Sequence, residues 1–391
     1  MNPFKTLFSP FRIGRLELKN RIVMPPMATN FAGTDGRVNE RHIAYYLRRV
    51  QGGAGYVTFE HTGILKEGKA SPGMALLDGD DQVPFFKNLV EAVHREGGRI
   101  FIQINHAGRQ TSASVTGAPI VAPSAIPCPV RKEMPHPLSV EEIQSLVEAF
   151  RRAAKRVKEA GADGVEIHMA HGYLLCQFLS PFSNRRDDEY GGSQEGRLRM
   201  PLEVLKAVRQ AVGPDFPVVC RISADEYVEG GLKLEDSIPI ARALEKNGAD
   251  ALHVSACIAP SGYLNHPPYY VPEGVFTHLA GGIKAAVRIP VITVGRIRTP
   301  ELANRVIEEK KADFVSMGRA LIADPFLPRK ALEGKVAEII PCISCNRCIA
   351  SIRKGALGCA VNPETGREAT LVVTKVDRPK KVWVIGGGPA G

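Results

Sequence analysis

Residues 291–319 read VITVGRIRTPELANRVIEEKKADFVSMGR, a short β-branched run, a helical pattern and a second short, apolar run. Each of the two runs ends in a Gly-Arg pair, at Gly295-Arg296 and at Gly318-Arg319. Short strands that alternate with helices of about a dozen residues are typical of βαβ units and of a parallel sheet. This stretch therefore predicts one repeat of an α/β fold.

The same alternation continues from here towards the N-terminus. Short apolar or β-branched runs predict strands at 22–27, 56–60, 100–105, 164–169, 218–223, 251–255, 291–295 and 314–318. Eight such repeats predict a closed (β/α)8 TIM barrel, and residues 11–19 look like a hairpin that plugs its N-terminal face. A doubly wound sheet is the rival, but it would need a glycine fingerprint after an early strand, where the sequence has none.

Composition limits the class of protein. With 44% hydrophobic and 24% charged residues, a chain of 391 residues can bury a full core. No apolar run approaches the about 20 residues that span a bilayer, and the N-terminus does not resemble a secretory signal, so we expect a cytoplasmic protein without a membrane role. The net charge of +10 is scattered along predicted helices, which argues against nucleic acid as a partner.

In a TIM barrel the active site lies at the C-terminal ends of the strands. The two Gly-Arg pairs predict a phosphate site there, because glycine lets a ligand approach the backbone and arginine adds charge and donors. The alternative is a pair of tight turns with solvated arginines.

The segment 168–173 reads HMAHGY and follows the fourth predicted strand. His168 and His171 can direct their N–H groups at one carbonyl oxygen, and Tyr173 can then give a proton to carbon. A zinc site or structural loop histidines are the alternatives, but this motif offers no third zinc ligand. The pattern favours carbonyl polarisation combined with general-acid catalysis.

The sequence around this segment resembles the old yellow enzyme family. The resemblance covers residues from about 3 to about 335, and its strongest part runs from His168 to Arg197. The motifs that carry it are His168, Gly172-Tyr173-Leu174-Leu175, Gln177-Phe178-Leu179-Ser180-Pro181, Ser183-Asn184-Arg185-Arg186 and Asp188-Glu189-Tyr190-Gly191-Gly192-Ser193.

The resemblance implies FMN bound at the mouth of the barrel and a small-molecule substrate with an unsaturated carbonyl group. Arg221 would lie beside N1 of the flavin, where its charge would stabilise the anionic reduced form. His168 and His171 would anchor the substrate oxygen, and Tyr173 would protonate the α-carbon while N5 delivers hydride to the β-carbon. The residues assigned to the flavin ring are Pro26, Met27, Ala28, His61 (through a main-chain group) and Gln103, and those assigned to its phosphate are Gly295, Arg296, Gly318 and Arg319.

Four of the eight cysteines are close together after the last predicted strand. Cys342, Cys345 and Cys348 are separated by two residues each, and Cys359 follows after ten intervening residues. Three thiolates at this spacing can wrap one compact cubane, whereas structural zinc usually has two separated C-x-x-C pairs. We therefore expect a [4Fe-4S] cluster with these four ligands, as in the subfamily that contains trimethylamine dehydrogenase and bacterial 2,4-dienoyl-CoA reductase.

The last residues predict the start of a further domain. Residues 380–385 look like a strand, and 386–391 read GGGPAG, a match to the G-x-G-x-x-G fingerprint of dinucleotide-binding folds. We expect a barrel at 1–335, a cluster segment at 336–375 and the first strand of an incomplete FAD/NAD(P)-binding domain at 376–391. In the full-length parent, electrons would pass from NAD(P)H through FAD and the cluster to FMN.

Several other functions remain open from the sequence alone. Amine dehydrogenases share the barrel and the cluster, but as a subfamily they lack the paired histidines. The 2,4-dienoyl-CoA reductases use a histidine after strand six, whereas this chain has none there before His266. A non-catalytic flavin and iron–sulfur module, a Schiff-base aldolase and a homo-oligomeric state are further alternatives, although no lysine stands at an inner strand end for the aldolase.

Overall fold

The structure is a computed structural model that describes residues 3–371, 374 and 376–387. Its strands are β1 (Phe11–Ile13), β2 (Leu16–Leu18), β3 (Ile22–Met24), β4 (Tyr56–Gly63), β5 (Ile100–Asn105), β6 (Val121–Ala122), β7 (His136–Pro137), β8 (Gly164–Met169), β9 (Val218–Ser223), β10 (Ala251–Ser255), β11 (Val291–Thr293) and β12 (Phe314–Ser316). Eight of them, β3, β4, β5, β8, β9, β10, β11 and β12, pair in parallel in this order, and β12 pairs with β3 to close a barrel. The predicted (β/α)8 barrel is confirmed, and the doubly wound sheet is excluded.

Each predicted barrel strand forms, and local residues set where it stops. Strand β3 ends before Pro25 and Pro26, which have no N–H to donate to a neighbouring strand. Strands β11 and β12 end two residues earlier than predicted, before the turn at Gly295 (φ 127°) and before the helix that begins at Gly318. Strand β4 is longer than predicted, because a register shift after Phe59 lets it pair with β5 as far as Gly63.

The helices surround the barrel and connect its strands. They are α1 (Glu40–Gln51), α2 (Val83–Arg95), α3 (Ala113–Thr116), α4 (Val140–Glu159), α5 (Leu174–Leu179), α6 (Gln194–Val212), α7 (Leu234–Lys246), α8 (Thr277–Lys284), α9 (Pro300–Glu308), α10 (Gly318–Ala323), α11 (Leu327–Leu332) and α12 (Arg347–Lys354), with short 3₁₀ turns at Lys66–Gly68, Asp80–Gln82, Ala259–Asn265 and Val336–Glu338. Ser139 and Glu142 form a capping box at the start of α4, which satisfies N–H groups that a helix leaves unpaired. Across the described ranges, we find no helix with the length and apolar character that a membrane span requires.

The barrel interior is layered. Its N-terminal end is filled by apolar side chains from the barrel strands together with Ile13 and Leu18 of the β1–β2 hairpin. The hairpin therefore plugs this end, as the sequence predicts. Towards the C-terminal end of the strands the inward-facing residues become polar, and they include Gln103, Glu166, Arg221, His253 and Ser316. Because the apolar plug fills the N-terminal end, a reactive site can form only at the C-terminal mouth of the barrel.

The segment after the barrel packs back onto it. Arg49 on α1 forms a buried ion pair with Glu368, with Nη1 2.6 Å from Oε1. Asn362 donates from Nδ2 to the carbonyl of Ile322 at 3.0 Å, and the N–H of Leu357 donates to the carbonyl of Thr29 at 2.9 Å. These contacts hold the cysteine-bearing segment against the C-terminal mouth of the barrel.

The strand predicted at 380–385 is not formed. These residues have no regular secondary structure, and the side chains of Val382, Trp383 and Ile385 are exposed. A strand requires a hydrogen-bonding neighbour and a surface to cover one face, and the described chain offers this segment neither. Residues 388–391 of the glycine motif lie outside the described residues, as do 372, 373 and 375 of the predicted cluster segment.

Candidate active site at the barrel mouth

The two histidines and the tyrosine predicted from the sequence lie together at the C-terminal end of β8. His168 is on the strand itself, and the backbone then turns through left-handed conformations at His171 (φ 60°) and Gly172 (φ 76°). The N–H of His171 donates to Oγ of Ser223 on β9 at 2.9 Å, which fixes this turn. Tyr173 then stands directly before α5.

Hydrogen bonds join the two imidazoles to a serine that the sequence analysis missed. The N–H of Ala170 donates to Nδ1 of His168 at 3.2 Å, so the proton of a neutral His168 lies on Nε2. That nitrogen is 3.3 Å from Nδ1 of His171, whose Nε2 is 2.7 Å from Oγ of Ser255. This assignment gives a chain of donors that runs from His168 through His171 to Ser255. In the sequence, the only signal for a role of Ser255 was its position at the end of a predicted strand.

A third imidazole lies in the same cluster. The ring centroid of His61 is 5.5 Å from that of Tyr173 and 6.5 Å from that of His168, while the Tyr173 and His168 centroids are 4.9 Å apart. Nδ1 of His61 also lies 3.4 Å from Nδ2 of Asn105. The sequence predicted only a main-chain role for His61, whereas the structure places its side chain beside the predicted proton donor.

Burial sets the protonation of these groups. It lowers the pKa values of His168 and His171 well below the usual value of about 6.5, and the charge of Arg221 lowers both further. Burial raises the pKa of Tyr173 above the usual value, and a hydrogen bond with Gln110 partly opposes that shift. At neutral pH the site therefore offers two uncharged imidazoles and a protonated phenol.

The predicted flavin ligands Gln103 and Arg221 both carry buried atoms that lack partners. Oε1 of Gln103 and Nε of Arg221 have no hydrogen-bond partner among the residues that the structure describes. An unpaired buried polar atom costs about 1–3 kcal/mol, so these atoms indicate a ligand that supplies a donor to one and an acceptor to the other. The N3–H and the N1/O2 edge of a flavin pyrimidine ring fit this pair.

The residues predicted to line the flavin ring lie next to the predicted phosphate loop. Pro26 is buried, and Met27 and Ala28 are partly exposed. A Cβ atom added to Gly318 would lie 2.8 Å from Sδ of Met27, so a larger residue at 318 would require the Met27 side chain to move. The structure thus brings residues 26–28, which follow the first barrel strand, beside the start of α10, which follows the last barrel strand.

The two predicted phosphate arginines contact the cysteine loop. Nε of Arg296, which follows Gly295, donates to Oγ of Ser344 at 3.3 Å. Nη1 of Arg319 donates to Oδ1 of Asn346 at 2.6 Å and to the carbonyl of Pro267 at 2.8 Å. The loop bearing Ser344 and Asn346 was predicted only as a metal-binding segment, so its contact with the phosphate arginines is a further finding.

The four predicted metal ligands line one small cavity. Cys342, Cys345, Cys348 and Cys359 share this cavity with Arg319. No three histidine, cysteine or carboxylate side chains in the described residues converge as a single metal ion requires. Cysteine thiolates hold both iron–sulfur clusters and zinc, so the chemistry of this lining fits a metal centre of either kind.

A barrel with these groups at its C-terminal mouth has the architecture of a flavin-dependent oxidoreductase. The sequence profile of the NADH:flavin oxidoreductase / NADH oxidase family matches residues 6–338. The chain belongs to this family, which confirms the resemblance to old yellow enzymes and supports FMN as the bound flavin.

Three relatives illustrate the similarity. An NADH oxidase of Thermoanaerobacter brockii is 48% identical over 397 residues, which cover 100% of this chain and 61% of the relative. A cinnamate reductase of Clostridium sporogenes is 37% identical over 415 residues, covering 99% of this chain and 62% of the relative. A solved complex of 2-naphthoyl-CoA reductase with 2-naphthoyl-CoA has a TM-score of 0.90 at 32% identity, covering 94% of this chain and 58% of that one. The chain thus spans about three fifths of the length of these relatives.

Proposed function

We propose that the chain reduces an activated carbon–carbon double bond, as an FMN-dependent ene-reductase. The observation that carries this proposal is the cluster of neutral His168, neutral His171 and protonated Tyr173 at the C-terminal mouth of the barrel. FMN, when bound, supplies the hydride for the β-carbon of such a substrate. The protein then has to polarise the conjugated carbonyl and protonate the α-carbon.

His168 and His171 perform the polarisation in this proposal. In the structure the Nε2–H of His168 is directed at His171 and the Nε2–H of His171 at Ser255. A carbonyl oxygen can replace these acceptors and receive a hydrogen bond from each ring. Neutral donors that are held in place before the reaction stabilise the negative charge that develops on this oxygen.

Tyr173 supplies the proton. Its phenol lies against the His168 ring, and its raised pKa keeps it protonated at neutral pH. Hydride on the β-carbon and a proton on the α-carbon together saturate the double bond, and the tyrosine recovers its proton from solvent. His61, whose ring centroid is 5.5 Å from that of Tyr173, would be a further contact for the substrate.

The residues that would hold FMN are those given by the resemblance. Gln103 and Arg221 would meet the pyrimidine edge through their unpaired atoms, Pro26, Met27 and Ala28 would line the ring, and Arg296 and Arg319, with Gly295 and Gly318, would bind the phosphate. The phosphate would replace present acceptors of the arginines, including Ser344 and Asn346.

The four cysteines would hold a [4Fe-4S] cluster, which supplies one-electron transfer when bound. We propose that the division into a barrel at 1–335, a cluster segment at 336–375 and a dinucleotide-binding segment from 376 reflects this electron supply, with FAD and NAD(P)H as the source. The supporting feature is the G-x-G-x-x-G match at 386–391.

For the substrate we propose an enoate, an enone or an unsaturated acyl thioester. Two of the similar proteins act on aromatic members of this class by name, cinnamate and 2-naphthoyl-CoA. The test is anaerobic. The FMN-loaded chain is reduced with dithionite and mixed in turn with cinnamate and a dienoyl-CoA ester, and the oxidised chain is mixed separately with trimethylamine.

Reoxidation of the flavin by cinnamate or by the thioester supports the proposal. An amine dehydrogenase would instead show reduction of its oxidised flavin by the amine. A flavin that responds to none of these compounds would favour the non-catalytic electron-transfer module.

A further inference from the structure

Below the barrel mouth, the proposed flavin ligand Gln103 belongs to a buried polar network whose other members, Glu166, His253 and Ser316, have no role in the proposed reaction. Gln103 and Glu166 are opposite each other on β5 and β8, and Nε2 of Gln103 donates to Oε1 of Glu166 at 2.6 Å. Nδ1 of His253 on β10 lies 3.0 Å from Oε2 of Glu166, and Nε2 of His253 lies 3.0 Å from Oγ of Ser316 on β12. Glu166 and His253 are completely buried, so this network is set by the barrel and not by solvent.

The protonation of the network follows from its contacts. Burial alone would raise the pKa of Glu166, but the charges and hydrogen bonds of His253, Arg221 and Gln103 outweigh it and lower that pKa. Burial lowers the pKa of His253, which is therefore neutral and donates its Nδ1–H to the carboxylate. Nε2 of His253 then accepts from the hydroxyl of Ser316.

The ionised carboxylate of Glu166 has no proton to donate. It therefore determines the orientation of the side-chain amide of Gln103. Its NH₂ group must face Glu166, so Oε1 must face away from it. Oε1 is the buried acceptor that has no partner in the described part of the chain. The same carboxylate interacts with Arg221, where it opposes the larger lowering of the arginine pKa by burial.

We propose that Glu166 is a positioning residue for the flavin: it directs Oε1 of Gln103 at the pyrimidine edge and partly offsets the charge of Arg221. This inference rests on the proposed FMN site. Arg221 alone would favour the anionic reduced flavin, and the buried carboxylate beneath it makes the flavin harder to reduce. Glu166 touches neither the substrate nor the hydride-accepting carbon in this arrangement.

Three substitutions of Glu166 separate its two effects in the 391-residue chain loaded with FMN. Glu166→Gln removes the charge and keeps a hydrogen-bonding side chain, so the midpoint potential of FMN should become more positive. Glu166→Asp keeps the charge and should keep the wild-type potential. Glu166→Leu also removes the acceptor that orients Gln103, so the Kd for FMN should rise about tenfold.

Glu226→Gln is the matched control. Glu226 is also completely buried and bonds to Ser180 and to the N–H of Leu232, but it has no contact with Gln103. The potential is measured by spectroscopic titration against a reference dye, and the Kd by quenching of FMN fluorescence. If Glu166→Leu does not fold, Glu166→Gln and Glu166→Asp still test the effect of Glu166 on the midpoint potential of FMN.

Two outcomes overturn the inference. One is a Glu166→Gln potential equal to that of the wild type, and the other is an equal shift in Glu226→Gln, since either would leave Glu166 with a structural role alone. A wild-type chain that binds no FMN would instead overturn the proposed function together with this inference, so the two failures are distinguishable.

Discussion

Nε2 of His171 lies 2.7 Å from Oγ of Ser255, although the two residues are 84 positions apart in the sequence. This contact joins the turn after β8 to the end of β10. It holds the ring of His171, while the donor from His168 sets which nitrogen of His171 carries the proton, and we therefore propose that Ser255 orients the imidazole pair before a substrate oxygen binds.

Ser255→Ala should weaken substrate binding and slow flavin reoxidation. Loss of this partner leaves the His171 ring free to rotate before substrate binds, and the loss of one such hydrogen bond corresponds to about a tenfold effect. The measurement is stopped-flow reoxidation of the reduced flavin at several concentrations of the enoate or enone that reacts fastest with the wild type. Ser145→Ala, on the exposed face of α4, is the control. Equal kinetics in the two variants would contradict the role of Ser255.

Tyr173→Phe should slow reoxidation by roughly 10²–10⁴-fold, because the phenol is the general acid. The affinity for FMN should remain within about twofold of the wild type, since the hydroxyl is not among the flavin ligands. Stopped-flow kinetics and FMN titration measure the two quantities. Tyr269 is exposed and is not part of the site formed by His168, His171 and Tyr173, so Tyr269→Phe should behave like the wild type. Wild-type kinetics in Tyr173→Phe would require another proton donor.

The reoxidation rate should be independent of pH between about 6 and about 9.5. Lowered pKa values keep His168 and His171 neutral as the pH falls through their usual value, and the raised pKa of Tyr173 keeps its proton as the pH rises. The rate should decline only above the usual tyrosine pKa of about 10, where the acid form is lost. A decline on the acid side near 6.5 would show instead that an imidazole becomes charged.

Cys345→Ala should abolish assembly of the iron–sulfur cluster. Cys345 is the exposed member of the four cysteines that line the cavity, so its replacement should leave the fold intact. Iron and sulfide should fall from about four of each per chain to near zero in protein that was reconstituted anaerobically. Cys128→Ala, at a buried cysteine outside the cavity, should retain both. Full iron content in the Cys345 variant would exclude this residue as a ligand.

Glu368→Ala should lower the free energy of unfolding by about 3–5 kcal/mol, because it leaves the buried charge of Arg49 without its partner. Urea unfolding followed by circular dichroism measures the change. Glu17→Ala removes the partner of Arg12 in an exposed ion pair and should cost less than about 1 kcal/mol. Similar costs in the two variants would mean that the C-terminal segment contributes little to stability.

The sequence predicted the number and order of the barrel strands because each strand depends mainly on its own side chains. The runs at 100–105, 164–169, 218–223 and 251–255 match the structure residue for residue. The strand predicted at 380–385 does not form, because side-chain composition alone does not make a strand. Its apolar composition is that of a strand, but pairing needs a neighbour that the described chain does not provide.

The candidate site was predictable where function follows from residues close together in sequence. His168, His171 and Tyr173 lie within six positions, and Cys342, Cys345 and Cys348 within seven. The structure brings each of these sets together at one place.

The sequence alone therefore determined the eight repeats, the apolar plug and the local motifs at the strand ends, because periodicity and turn chemistry act over a few residues. Only the tertiary structure decided that Ser255 meets His171, that Glu166 orients Gln103 and that Arg319 contacts Asn346. Such pairs depend on the register between strands and on closure of the barrel, where a shift of one residue would turn a side chain to the opposite face. That register comes from the packing of the whole barrel and is not encoded in any single segment.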